Sequence, residues 1–273
     1  MNLRFLASGL LGLALLGLSV SASAVSHGIS VQANGALLGG LTFDDADVAE
    51  YDDVAGTAVL AFDESAFAND EDLDALHMFA DGTFLFSTRD SATLGGLSFR
   101  DGDVALWDPV SGTASLYFDE DLFAAGENLD AVSVLGNGNL LLSTNGNASL
   151  AGLAFRDGDL VEYDPIGGIA SLFFNEDLFT NDENIDAAHV LADGTLLIST
   201  LGNATLGGLS FRDGDVVRYD PLSGVATLYF SEDDFAGNEN VDAYAVAPEP
   251  TSALLLSFGL AALAWTRRGT RLG

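Results

Sequence analysis

The chain has 273 residues, no cysteine, no lysine and a formal net charge of −32. Disulfides, thiol catalysis, zinc–thiolate and iron–sulfur sites are thereby excluded, and no cationic surface is left to neutralise nucleic acid. Cations and neutral sugars fit such a chain better, although a solvated acidic surface that keeps the protein soluble explains the same charge.

In chain order, the first element is an export signal. Arg4 precedes an apolar run over residues 5–20, and Ala22-Ser23-Ala24 supplies a small-residue cleavage site. This predicts a signal peptide over residues 1–24, with Ala22 and Ala24 marking the cut and the mature chain starting near Val25. An uncleaved N-terminal anchor is the other reading of the same run.

Residues 25–247 form the body, which keeps five of the nine arginines and all but one of the 41 acids. It is built from a 56-residue repeat, aligned on Gly40, Gly96, Gly152 and Gly208. The later copies open GLSFRDGDVALWDP, GLAFRDGDLVEYDP and GLSFRDGDVVRYDP, and the first is a decayed version, GLTFDDADVAEYDD. Such identity speaks for architecture first, since duplication alone can produce it.

Within the fourth unit, residues 216–219 follow the turn Asp213-Gly214-Asp215 as a short β run. After a second turn, residues 224–230 alternate, with Ala226, Leu228 and Phe230 on one face. An acidic loop over 231–241 leads to a third strand at 243–247. In the third unit the corresponding run passes through Asp193-Gly194 into residues 195–200, a strong hairpin signal. Four short antiparallel strands per tandem unit predict an all-β, four-bladed β-propeller; an open solenoid or an array of separate sheets is the competing form.

The fourth unit stops after its third strand, and residues 28–39 stand where residues 196–207 stand in the third. An N-terminal strand that completes the last blade would close the ring and remove exposed edges.

Three chemistries are open to the body. Asp45-Ala46-Asp47, Asp101-Gly102-Asp103, Asp157-Gly158-Asp159 and Asp213-Gly214-Asp215 place carboxylate pairs where a ring would bring them to one rim. Calcium favours such oxygen ligands, but Asp-Gly is also an ordinary turn dipeptide. No other cofactor is expected. Glu64, Glu120, Glu176 and Glu232, with Asp74, Asp130, Asp186 and Asp242, recur in every unit. Paired carboxylates can hydrolyse glycosides, yet an enzyme usually breaks symmetry at one site, so no catalytic residue is assigned. His77 and His189 would face each other across a four-bladed ring, as packing residues. Tyr51, Trp107, Tyr163 and Tyr219 are candidate sugar platforms, but their regular strand position suits the core.

The last element is the tail. Pro248-Glu249-Pro250 precedes an apolar run over residues 253–265, and Arg267, Arg268 and Arg271 follow. Arginines beyond an apolar helix stay on the cytoplasmic side. The run is shorter than the ~20 residues of a permanent span, which suits transient insertion, and a plain C-terminal anchor is the alternative. The three-part order over residues 248–273 resembles the PEP-CTERM sorting signal. The resemblance implies recognition of Pro248, Glu249 and Pro250 by an exosortase-type enzyme, a cytoplasmic stop at Arg267 and Arg268, and release at the surface or into the matrix of a Gram-negative envelope.

The resulting expectation is an exported propeller, between a signal helix and a hydrophobic helix, that binds extracellular polysaccharide, cations or protein without catalysis. An extracellular polymer hydrolase or lyase on the same scaffold is the alternative.

Overall fold

A computed structural model describes residues 25–247; the expected signal peptide and sorting tail lie outside the described residues. Among the described residues, no helix is long and apolar enough to cross a membrane.

The body is a four-bladed β-propeller. From the axis outward, one blade runs Leu73–Met78, Phe84–Thr88, Val104–Asp108 and Thr113–Phe118. The next runs Leu129–Val134, Leu140–Thr144, Leu160–Asp164 and Ile169–Phe174, and the third Ile185–Val190, Leu196–Thr200, Val216–Asp220 and Val225–Phe230. Each blade therefore takes its inner two strands from one sequence unit and its outer two from the next. The blade and the 56-residue unit are half a repeat out of phase.

The fourth blade is composite. Its inner strand, Val241–Ala247, is C-terminal, and its other strands are Ser26–Val31, Val48–Asp52 and Thr57–Phe62. Ser26 pairs with Ala247 and Ile29 with Tyr244, antiparallel, as the repeat arithmetic requires. This pairing closes the ring and covers the outward edge of the inner strand, so that its remaining edge faces the axis as in the other blades.

Four strands per unit is an undercount. Each unit also carries a two-stranded hairpin, such as Ala92–Leu94 with Leu97–Phe99. Its two-residue turn, Gly95-Gly96, has φ of 54° and 87°, the doubly positive pattern of a type I′ turn. The acidic loop holds a short 3-10 helix, such as Glu120–Leu122, capped by the Asp119 side chain accepting from Asp121 N.

The core lies between neighbouring blades. Phe62, Phe118, Phe174 and Phe230 end the outer strands, and each packs edge-on at 5.5 Å against Phe67, Phe123, Phe179 or Phe235. Each also meets the aromatic of the next blade: Trp107, Tyr163, Tyr219 and, across the closure, Tyr51, at 5.7–6.1 Å. All four of these are buried, which confirms the packing role over a sugar platform. Burying a large apolar side chain contributes roughly 1.5–3 kcal/mol. The expected common face is split: Ala226 and Phe230 are buried, while Leu228 is half exposed. A bulge puts Leu228 opposite Val217 and Phe230 opposite Val216, so Tyr229 goes unpaired and Phe230 turns to the other face of the blade from Ala226 and Leu228.

Candidate functional site

The two ends of the axis differ. The inner strands run the same way, so their second residues, Asp74, Asp130, Asp186 and Asp242, gather at one pole. Their fifth residues include His77 and His189, which stack near the other end with ring centroids 5.9 Å apart.

The Asp-x-Asp turns surround the aspartate pole, because a carbonyl of each accepts from the first N–H of an inner strand. Leu73 N–H reaches Asp45 O at 3.3 Å, Leu129 N–H reaches Asp101 O at 3.2 Å, and Ile185 and Val241 repeat the bond to Asp157 and Asp213. A buried serine of the second strand clamps each turn: Ser87 Oγ lies 2.8 Å from Asp101 O and 2.9 Å from Asp103 O. The second aspartate of each turn is a bracket. Asp103 accepts from Arg100 N–H and Glu120 N–H, both at 2.8 Å, and Asp47, Asp159 and Asp215 make the same two bonds.

In three units an arginine fills the remaining acidic pocket. Arg100, Arg156 and Arg212 reach Glu120, Glu176 and Glu232 at 3.1, 2.6 and 3.2 Å. The first unit has Asp44 there. Its Asp45, Glu64 and Asp70 carboxylates offer atoms within 4.8 Å of one another. Burial, then Asp47, pushes the Glu64 carboxyl up to about 7. The Glu and Asp series that recur together in sequence thus serve different places: the glutamates back the turns, and the aspartates line the axis.

The axial pole holds a cavity of about 280 Å³, lined by Gln32, Asp74, Arg89, Asn128, Asp130, Asn145, Asp186, Leu201 and Asp242. Three of the four inter-blade steps follow one rule. Asn128 Nδ2 donates to Asp74 at 2.8 Å, Asn184 Nδ2 donates to Asp130 at 3.0 Å, and the Asn240 amide similarly favours the charged form of Asp186. The fourth step breaks the rule, because Asp72 stands where the other units carry asparagine and faces Asp242. Arg89 meets Asp72 at 3.3 Å and is the one basic side chain lining the cavity among the described residues.

The electrostatics follow from burial. Asp74 is pushed up to about 8 and Asp130 to about 7, in both cases by burial first; the Asp130 charge adds to the rise at Asp74, while asparagine bonds oppose it at Asp130. Asp186 and Asp242 lie well above the usual carboxylate range, again through burial and then neighbouring carboxylates. Many acceptors here are buried without a donor: Asp72 Oδ1, Asp130 Oδ1, Asp186 Oδ2, both Asp242 oxygens, and the amide oxygens of Asn128, Asn184 and Asn240.

Asp72, Arg89 and the asparagine set were not singled out by sequence reasoning. Asp72 was nonetheless readable as the one departure from Asn128, Asn184 and Asn240 at 56-residue spacing, and Arg89 as an arginine with no counterpart in the other units.

No family model matches the chain, and no curated protein matches it. Solved structures do. A protein of unknown function from Bacteroides caccae is 9% identical, with a TM-score of 0.40, over 83% of this chain and 100% of its own. YCF48 bound to D1 peptide is 10% identical, with a TM-score of 0.35, over 73% of this chain and 51% of that one. An auxiliary nutrient binding protein from Bacteroides thetaiotaomicron is 9% identical, with a TM-score of 0.36, over 74% and 41%.

Proposed function

We propose that this protein is an exported, non-catalytic binding module of the cell surface or extracellular matrix, delivered by an exosortase-type system acting on residues 248–273. The observation that carries the binding role is the axial cavity. Its walls come from all four blades, and its lining is a set of oxygen acceptors that the fold leaves unpaired. Buried acceptors without donors are costly in a folded protein, so a pole rich in them suits an external ligand that supplies positive charge or hydrogen-bond donors. Repetition of the carboxylates in every unit supports a module over a hydrolase, whose acid and base would be set apart in one unit.

Two measurements test the reading. Cells producing the chain with and without residues 248–273 are fractionated, and the body is expected to leave the surface fraction when the tail is missing. An unchanged location refutes the sorting step. Co-sedimentation with extracellular polysaccharide, with Asp74, Asp130, Asp186 and Asp242 each changed to Asn in turn, is expected to show graded loss. Total loss from a single unit would favour the hydrolase or lyase.

A further inference from the structure

We infer that the aspartate pole is a calcium site, with Asp72, Asp74 and Asp242 as its carboxylate ligands. The inference rests on reading this pole as a binding site and names the ligand. It does not place the ion at the Asp-x-Asp turns that the repeat pattern first suggests.

Three observations carry it. The carboxylates of Asp72, Asp74 and Asp242 offer ligand atoms within 4.8 Å of one another, a spacing that one ion with oxygen bonds of roughly 2.3–2.6 Å bridges. Asp242 is 6% exposed, yet neither of its carboxylate oxygens has a hydrogen-bond partner. A buried carboxylate in that state normally pairs with a cation or gives up its charge. The neutral Asn128 oxygen, beside Asp74, is likewise buried without a donor, and an amide oxygen with no donor is a ready calcium ligand.

The departure from fourfold symmetry points the same way. At three steps an asparagine amide donates a hydrogen bond to the aspartate it faces. At the fourth, an aspartate faces an aspartate, so a second carboxylate stands where the other steps place a neutral donor. Arg89 answers only part of this, through a 3.3 Å contact from a largely exposed side chain. The donor set is all oxygen, which selects a hard cation. The cavity of about 280 Å³ leaves room for waters to complete a shell of 6–8 ligands, and the larger, less exacting calcium fits that better than magnesium.

The test uses the full-length chain in detergent, stripped with chelator and titrated with calcium chloride by calorimetry, with the melting temperature followed in parallel. One calcium per chain is expected, with a melting temperature that climbs with free calcium. Asp72→Asn installs the residue the other units carry and should fold; it is expected to weaken binding by about tenfold or more, with an unchanged far-UV spectrum. Glu64→Gln, in the separate acidic cluster of the first unit, should leave binding intact. Absence of both heat and thermal shift at millimolar calcium overturns the inference, as does unchanged affinity in Asp72→Asn. Loss of binding in Glu64→Gln alone would move the ion to the turn and equally overturn it. If the chelated chain still co-sediments with polysaccharide while calcium fails to bind, the calcium site falls and the module reading stands. If calcium binds at Asp72 but no polymer is retained, the polysaccharide part of that reading falls and the cation site stands.

Discussion

Burial of three histidines gives the protein an acid-sensitive component. His77 is driven down to about 3, by burial first and then by His189, and burial drives His189 down to about 4. His27 is lowered as well, burial outweighing Asp53, and its ring bonds the Tyr244 hydroxyl. In the unfolded chain each takes up a proton near pH 6.5. The unfolded state therefore binds more protons between pH 6.5 and 4, and stability that is full above that range falls as the pH drops through it. The buried carboxylates have the opposite sign: their raised values let the folded state hold protons that the unfolded state has lost, so they favour the fold most at low pH. A comparison of two proteins at each pH separates the effects. The double variant His77→Ser with His189→Ala takes the residues of the two other units, Ser133 and Ala245. Its melting temperature should fall less steeply than the wild type's from pH 6.5 to 4. Parallel curves would show that these histidines are not held neutral.

The small hairpins explain why glycine anchors the repeat. In three copies the first turn residue is Gly39, Gly95 or Gly207, with φ of 54–56°. A Cβ there would sit 2.5–2.6 Å from the nitrogen of Ala58, Ala114 or Ala226. The third copy has Ala151 at the same position, with φ of 50°. A left-handed alanine costs roughly 1–2 kcal/mol, part of which glycine returns through greater freedom when unfolded. Ala151→Gly is expected to stabilise the protein by about 1 kcal/mol, a gain of roughly 2–4 °C in melting temperature. Gly95→Ala should destabilise it by more, and thermal melts of the two variants check both signs. The hairpin itself was legible, since Leu94-Gly95-Gly96-Leu97 places a turn pair between strand residues. Its strands, of three residues each, carry too little alternation to register as strands in the sequence. The blade strands, of five to seven residues, stood out by contrast.

Ring closure was legible because every copy keeps the same packing positions, so a missing strand at one end could be matched to a surplus strand at the other. The axial site was not, because its pairs form only when separate blades meet: Asn128 and Asp74 are 54 positions apart in sequence, and Asp72 and Asp242 lie 170 positions apart. Closure also predicts how the first strand behaves. Ile29 occupies the place of Leu85, Leu141 and Leu197, and all four are at most 1% exposed. If the terminal strand is a full member of its blade, Ile29→Ala should cost as much as Leu141→Ala, about 2–5 kcal/mol. Chemical denaturation of the two variants decides it, and a near-neutral Ile29→Ala would mean the ring frays at its seam. The seam also gives the molecule an orientation. Ser26 and Ala247 pair at its end, so the chain enters and leaves the ring at one spot, on the histidine side. Asp242 lies five residues back along the same inner strand, roughly 16 Å away at strand rise. The ring is thus built like a flower on a stalk: the chain joins it at one end of the axis, and the carboxylate mouth opens at the other.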